Sequence, residues 1–259
     1  MIDFEGRTLR RIRYRTGLPG GWLESEKNLS QKDTAAVLDE AKVFGEARVF
    51  GAARVTGSAA VGGSAWIYGG ACVSGNAAIG GSAQIFENAV ICGNAKVNQN
   101  AKIFKSAKIK GLAEAAGNAQ ISGSACISGN ANIYGDAQIA DSAWISGNAS
   151  VSGKAIISGN AKIFDSASVS DEAQIFDSVE VFGMASVCGR ARVFGEALIF
   201  QNATVSGSAA VAGKVILCEN VEIKDNSELW DNGLVLFTPA GNEETDNGKG
   251  VKQTAGAAK

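Results

Sequence analysis

Histidine is absent from this 259-residue sequence. Since histidine is the usual general base near neutral pH and a frequent zinc ligand, its absence excludes the commonest catalytic and metal sites. Proline is almost absent too, and its two copies, Pro19 and Pro239, lie outside the long central part of the chain. This placement is typical of continuous β-structure, in which the backbone N–H groups are needed for pairing.

Long apolar runs and excess charge are also missing. No apolar segment approaches the roughly 20 residues of a membrane span, and the first residues do not have the pattern of a signal peptide. The net charge of −2 argues against bulk attraction to nucleic acid or to a membrane surface. We therefore expect neither a membrane nor a nucleic-acid partner.

Cysteine is scarce and odd in number, with five copies. They are Cys72, Cys92, Cys126, Cys188 and Cys218. Their spacing indicates no disulfide framework, and no Cys-x-x-Cys pair is present to bind zinc. This usage fits a reducing compartment, so the predicted location is the cytoplasm.

What the sequence does contain is a hexapeptide repeat that runs unbroken over 35–232. We number the positions of each hexad from one to six. Position one is alanine in all but four hexads, and position three is Val, Ile or Leu everywhere except at Ala115. Position five is usually glycine, and otherwise mostly Asp, Glu, Gln or Lys. A fixed period of this kind indicates a repeat architecture.

The spacing within each hexad favours strands. In an extended chain side chains alternate between two faces, so positions one and three share one face and positions two and four the other. Glycine, asparagine and aspartate tolerate left-handed backbone angles, so positions five and six predict a corner. A helix is excluded because the apolar spacing does not follow the helical period of about 3.6 and each glycine would cost about 1 kcal/mol. The hexads therefore predict an all-β parallel solenoid with alanine and branched aliphatic residues inside.

The coil length can be tested within the sequence, because stacked coils place like residues one coil length apart. Aromatic residues at position four recur most often at a separation of 18. These pairs are Phe50–Tyr68, Tyr68–Phe86, Phe86–Phe104, Phe164–Phe182, Phe182–Phe200 and Phe176–Phe194. This separation predicts coils of 18 residues, each made of three hexads and therefore three short strands. The repeat would then form about 11 triangular coils.

Hexads such as 71–76 and 149–154 resemble the hexapeptide repeats of the left-handed parallel β-helix superfamily, which includes many acyltransferases. The left-handed sense is implied by this resemblance alone, since the general crossover rule predicts the opposite hand. Residues 20–30, which lead into the repeat, are similar to those of uncharacterised phage- and prophage-encoded hexapeptide-repeat proteins of bacteria. The C-terminal end departs from that group, which often carries a further small domain.

The repeat divides the chain into three predicted segments. Residues 1–34 lack the period, and 7–15 predict a strand of an N-terminal β cap, because the open end of a solenoid would otherwise recruit another chain. The five arginines of this strand could instead bind phosphate. Residues 35–232 form the β-helix. Residues 233–259 predict a terminal strand followed by a disordered tail.

Only the outward positions two and four are available for function, and taking every eighteenth residue separates three faces. The most apolar face is the first candidate surface, which we name the Trp144 row: Trp144, Phe164, Phe182, Leu198, Phe200 and Ile216. A second candidate, the Trp66 row, consists of Phe50, Trp66, Tyr68, Phe86 and Phe104. Exposed apolar rows usually contact another chain or a ligand. The alternative is that stacked aromatic rings only reinforce neighbouring coils.

No motif in the sequence predicts a catalytic residue, a metal site or a cofactor. The leading hypothesis is a non-catalytic β-solenoid scaffold or binding protein that forms a homo-oligomer or binds an unknown protein partner. The resemblance implies an alternative, an acyltransferase that takes acyl-CoA as substrate and typically uses a histidine base, which this chain lacks. A carboxylate such as Glu114, Glu172 or Glu180 could serve as the base for an amine acceptor.

Overall fold

The computed structural model describes residues 1–15, 17, 19–238, 241–244 and 251–252, with side chains as far as residue 230. The chain forms two compact units, Met1–Gly129 and Asn130–Lys259. Apart from a 3₁₀ helix at Glu26–Asn28, the regular structure of the described residues is entirely β-strand. The predicted all-β class is confirmed. The predicted division at 34 and 232 rests on the repeat alone.

The first unit begins with three longer strands and continues with much shorter ones. The strands are β1 Ile2–Phe4, β2 Arg7–Arg13, β3 Pro19–Leu23, β4 Ala36–Val37, β5 Lys42–Val43, β6 Arg48–Val49, β7 Arg54–Val55, β8 Ala60–Val61, β9 Trp66–Ile67, β10 Cys72–Val73, β11 Ala78–Ile79, β12 Gln84–Ile85, β13 Val90–Ile91, β14 Lys96–Val97, β15 Lys102–Ile103, β16 Lys108–Ile109, β17 Glu114–Ala115, β18 Gln120–Ile121 and β19 Cys126–Ile127.

The second unit continues the short strands and ends with longer ones. The strands are β20 Asn132–Ile133, β21 Gln138–Ile139, β22 Trp144–Ile145, β23 Ser150–Val151, β24 Ile156–Ile157, β25 Lys162–Ile163, β26 Ser168–Val169, β27 Gln174–Ile175, β28 Glu180–Val181, β29 Ser186–Val187, β30 Arg192–Gly195, β31 Leu198–Ile199, β32 Thr204–Val205, β33 Ala210–Leu217, β34 Glu222–Ile223, β35 Glu228–Thr238, β36 Gly241–Glu244 and β37 Val251–Lys252.

Within the first unit each of the strands β4 to β16 pairs in parallel with the third strand after it, and within the second unit each of β20 to β30 does so. In the first unit β4 pairs with β7, and Ala36 lies beside Arg54, which is one predicted coil length away. In the second unit β25 pairs with β28, and Lys162 lies beside Glu180 at the same separation. The predicted coil length and its three strands are confirmed, and each unit is a parallel β-solenoid. The left-handed sense implied by the resemblance is consistent with this fold.

The interior consists of hexad positions one and three. Ala101 and Ile103 have no exposed surface, whereas Lys102 between them is exposed and Phe104 is half-buried. Fully burying an isoleucine side chain contributes about 1.5–3 kcal/mol. Because each coil contributes only three such aliphatic residues, its stability depends on the coils stacked against it.

The corners lie at positions five and six, as predicted, with positive φ at position five. At Gly75, φ is 69°, and a Cβ atom would lie 2.8 Å from the carbonyl oxygen of Gly93 in the next coil. At five corners where aspartate replaces glycine, its carboxylate accepts a backbone N–H of the next coil. Asp39 accepts the N–H of Gly57 at 2.9 Å, and Asp171 accepts the N–H of Gly189 at the same distance. The departures from glycine therefore add hydrogen bonds between coils.

Position six adds a second contact between coils. Asn76 donates its side-chain amide to Asn94 at 3.0 Å in the first unit, and Asn130 donates to Asn148 at 3.0 Å in the second. Stacked asparagine amides of this kind also stabilise other stacked β-structures.

The N-terminal segment lies against the first coil. Strands β1, β2 and β3 pair antiparallel, and β3 pairs in parallel with β5. The backbone N–H groups of Trp22 and Ser30 donate to the carbonyls of Ala41 at 2.8 Å and Val49 at 2.9 Å. On the remaining side of the coil, the Tyr14 hydroxyl donates to the carbonyl of Val37 at 2.9 Å. These are contacts that the predicted cap would make, and the capping role stays a prediction.

The segment 20–30, which carries the narrower resemblance, packs against the first coil through buried residues at 21–23 and 28–29. Gly21 approaches the first coil so closely that a Cβ atom would lie 2.6 Å from the carbonyl oxygen of Ala41. Asn28 is buried, and its side-chain amide donates to the carbonyls of Gly45 and Ala47 at 2.9 Å each. These contacts explain why glycine and asparagine occupy those positions.

Two of the five arginines at 7–15 form ion pairs at this junction. Arg7 pairs with Glu24 at 3.0 Å, and Arg11 pairs with Glu40 at 2.8 Å. Glu40 also accepts the indole N–H of Trp22 at 2.8 Å. These pairs favour the structural interpretation of the arginines over a phosphate-binding patch.

The C-terminal end departs from the regular hexads. Strand β33 is continuous through the corner at Gly213, where φ is still positive at 86°, and it pairs in parallel with β35 with a register shift after that residue. Lys214 therefore pairs with Leu234, whereas the regular coil length would place it beside Asn232. The expectation that the 18-residue register continues to residue 232 is wrong here. The register shifts after Gly213, where the longer β35 replaces the usual short strand.

Strand β35 includes the predicted terminal strand at 233–238 and pairs antiparallel with β36 and β37. The remaining residues of the predicted disordered tail, at 239–240, 245–250 and 253–259, lie outside the described residues.

A glycine pair tests the stacking of the corners. We expect Gly75→Ala and Gly6→Ala to share a left-handed strain of about 1–2 kcal/mol, because φ is positive at both glycines. Only the Cβ at position 75 meets backbone atoms, since nothing lies within 4 Å of the one at position 6. Gly75→Ala should therefore lose a further amount of about 1–3 kcal/mol in urea denaturation. Equal losses would contradict close stacking at this corner.

The junction carboxylates predict a pH dependence. The hydrogen bond from the Gly45 N–H, with the Arg7 ion pair, lowers the pKa of Glu24 below its ordinary value of 4.5. A lowered pKa contributes stability that is complete above the ordinary value and is lost as the pH falls through the folded value. We expect hydrogen-exchange protection of β3 to fall below pH 4.5. Glu24→Gln should flatten this loss, and an unchanged pH profile in the variant would contradict it.

Candidate functional site

The Trp144 row lies on one outward face of the second unit. The rings of Phe164, Phe182 and Phe200 stack face to face, with centroids 4.8 and 4.9 Å apart and planes within 3°. Trp144 tilts against Phe164 at 6.0 Å and is 39% exposed. The hexad corners place these rings one above the other, because every coil repeats the same backbone path. The structure thus brings the aromatic residues of this prediction together.

The rest of the Trp144 row lies at position two of the same face. Leu198 and Ile216 are half-buried register partners on β31 and β33. Between Trp144 and Leu198 lie Lys162 and Glu180, which pair with each other at 2.7 Å. Because the two charges neutralise each other, this part of the face carries no net charge. The row is therefore an electrically neutral surface with an exposed indole at one end.

The Trp66 row is the corresponding ladder of the first unit. Phe50, Tyr68, Phe86 and Phe104 stack with centroid distances of 4.9, 5.0 and 5.1 Å. Trp66 meets Phe50 edge to face at 6.1 Å and 77°. All four ladder rings are half-buried, whereas Trp66 is 44% exposed. Burial raises the pKa of the Tyr68 phenol, so this hydroxyl stays neutral near pH 7.

Stacking between coils, the structural alternative for these rows, is confirmed for five of the six aromatic pairs. The exception is Phe176 and Phe194, which make no ring contact among the described residues. Phe194 lies in β30, which extends to the corner at Gly195, and Arg192 lies over its ring at 5.9 Å. Equal spacing along the sequence therefore does not guarantee a stack. A contact role for either row stays a prediction.

The carboxylates considered as bases are not brought together. Glu172 lies between Lys154 at 3.8 Å and Arg190 at 3.3 Å, and Glu180 pairs with Lys162. Glu114 lies on β17, beside Lys96 in register. In the described part of the chain, no group of three or more His, Cys, Asp or Glu residues could hold a metal ion.

A cleft that sequence reasoning missed lies at one end of the Trp66 row. Phe50 and Trp66 form part of its lining. The other lining residues, which do not belong to the aromatic row, are Lys27, Ser30, Arg48 and Val49. Arg48 could have been found, because it precedes Trp66 by one coil length. Lys27 and Ser30 could not, because they lie before the repeat and no period relates them to it.

The parallel pairing of the strands and the two aromatic rows are those of a parallel β-solenoid repeat protein. No protein-family model matches the sequence, and no curated protein is significantly similar to it. Membership of the hexapeptide-repeat superfamily and a phage origin therefore stay hypotheses drawn from the residues. Within the described ranges, no helix has the length and the apolar character needed to cross a membrane.

A matched pair of phenylalanines measures what ring stacking contributes. Phe182 lies between two stacked rings, whereas Phe176 is half-buried without such a contact among the described residues. Each stacked pair contributes about 0.5–1.5 kcal/mol beyond burial, so Phe182→Leu should cost about 1–3 kcal/mol more than Phe176→Leu. Chemical denaturation of both variants checks this difference. Equal costs would show that the ladder adds nothing beyond the burial of each ring.

Proposed function

We propose that this protein is a non-catalytic β-solenoid of the cytoplasm that assembles with a second copy of itself through the Trp144 row. The observation that carries the proposal is the exposed indole of Trp144 at the end of a stacked, neutral aromatic row. A large exposed aromatic side chain beside a flat apolar row is typical of a contact surface.

The charge pattern favours a second copy of the chain over an oppositely charged partner. Lys162 and Glu180 neutralise each other at 2.7 Å, so two copies of this face would approach without net repulsion. A two-fold contact requires a surface that complements itself, and a neutral apolar row meets that requirement. Rigid stacking also lowers the entropic cost of binding, because the rings are held by their neighbours before contact.

The resemblance supplies the rest of the proposal. A capped solenoid with a self-associating face fits the phage-encoded hexapeptide-repeat proteins that residues 20–30 resemble. The N-terminal segment would then protect the open end of the first coil, while the Trp144 row would provide the specific contact. The segment's donors to the carbonyls of Val37, Ala41 and Val49 support the capping role.

Self-association is testable by sedimentation equilibrium of the full chain. We expect a concentration-dependent dimer whose dissociation constant rises by about ten-fold or more in Trp144→Glu, since loss of a tryptophan from a contact often costs more than about 1 kcal/mol. Trp66→Glu is the matched control, because Trp66 is a comparably exposed indole at the same hexad position. A wild-type protein that stays monomeric at high concentration, or an equal effect of both variants, would contradict the proposal.

The non-catalytic part of the proposal has a separate test. The alternative implied by the resemblance is acyl-CoA-dependent acyl transfer, which releases a free thiol. We expect no saturable thiol release from acetyl-CoA with amine or sugar acceptors. Turnover that follows the protein concentration would overturn this part of the proposal and make the carboxylates the residues to study.

A further inference from the structure

The cleft at the Trp66 row has a volume of about 320 Å³ and belongs to the first unit. Arg48 and Trp66 are register partners on β6 and β9, so their side chains project side by side. Val49 is buried, and its carbonyl accepts the backbone N–H of Ser30 at 2.9 Å. This bond fixes the N-terminal segment, including Lys27 and Ser30, along the edge of the cleft.

Two cationic side chains in this lining are not neutralised by a neighbouring acid. Neither Lys27 nor Arg48 belongs to an ion pair among the described residues. Asp33 follows Ser30 closely in the sequence, and its carboxylate accepts the N–H groups of Gly51 at 2.6 Å and Ala35 at 3.2 Å as well as the Ser30 hydroxyl. Asp33 is not part of the lining. The lining therefore combines two cations with no carboxylate, and its one hydroxyl, that of Ser30, is already bonded to Asp33.

The other half of the lining is aromatic. Trp66 is 44% exposed while the ring of Phe50 supports it edge to face at 6.1 Å. An indole that is held in place and partly exposed can pack against a planar ring of a ligand. The Trp144 row lacks this combination, because its neighbouring cation, Lys162, is already paired with Glu180.

We infer that this cleft binds a small aryl phosphate, a ligand in which a planar ring carries a dianionic phosphate. The phosphate accepts hydrogen bonds from the Arg48 guanidinium and the Lys27 ammonium, and the ring packs on Trp66. The cleft volume lies in the range of small-molecule sites. This binding is independent of the proposed self-association, which uses the other row.

Calorimetric titration of the full chain with 2-naphthyl phosphate tests the inference. The half-probes are 2-naphthol, which lacks the charge, and inorganic phosphate, which lacks the ring. We expect saturable binding of 2-naphthyl phosphate at least about ten-fold tighter than either half-probe, because both parts of the lining are then used. Binding should weaken as salt rises, because the cations are exposed. No saturation, or an equal affinity for a half-probe, would overturn the inference.

Variants locate the site. Arg48→Gln and Trp66→Ala should each weaken binding by about ten-fold through loss of a charge-assisted hydrogen bond or of ring packing. The matched controls are Arg54→Gln and Tyr134→Ala, which change an exposed arginine and an exposed aromatic residue outside the cleft and outside the Trp144 row. Thermal unfolding confirms that each variant is folded. Equal losses in the controls, or unchanged affinity in the cleft variants, would contradict the assigned site.

Discussion

The hydrogen bonds between coils are the constraint on which the structure depends. The N–H of Ala36 donates to the carbonyl of Ala53, and the N–H of Lys162 donates to that of Val179, so hydrogen bonds join neighbouring coils within each unit. Their register fixes which residues of neighbouring coils lie beside one another. It places alanine on alanine and isoleucine on isoleucine inside, and phenylalanine on phenylalanine outside. A single backbone pattern thus generates both the core and the outward rows.

The exposed backbone of the first coil explains the chemistry of the N-terminal segment. The coil presents both carbonyl and N–H groups to the chain before it, and the N–H of Val37 donates to the Tyr14 hydroxyl at 2.8 Å. That chain supplies donors: the backbone N–H of Trp22, the Tyr14 hydroxyl, the Asn28 amide and the Arg11 guanidinium, which reaches the carbonyl of Asp39 at 3.3 Å. Glu24 and Glu40 hold two of the arginines in place. The segment that breaks the repeat therefore supplies hydrogen-bond partners for the exposed groups of the first coil.

The two aromatic rows show how a uniform scaffold acquires different surfaces. Both rows stack at about the same spacing, because the coil sets it, and each has an exposed tryptophan at one end. They differ in the charges beside the indole. Lys162 is paired with Glu180, whereas Arg48 lies next to Trp66 and has no ion-pair partner in the described part of the chain. This difference suits the Trp144 row to an uncharged apolar partner and the Trp66 row to an anionic ligand.

The sequence alone determined the coil length, the inward alanines and aliphatics, and the ring ladders, because each follows from stacking like on like. It also indicated the corners, since glycine and aspartate at position five tolerate a positive φ. It did not predict the continuous strand through Gly213, the separation of Phe176 from Phe194, or the cleft that Lys27 and Ser30 form with Arg48. Those features depend on contacts between segments that share no period, so only the tertiary structure, which brings unrelated parts of the chain together, could decide them.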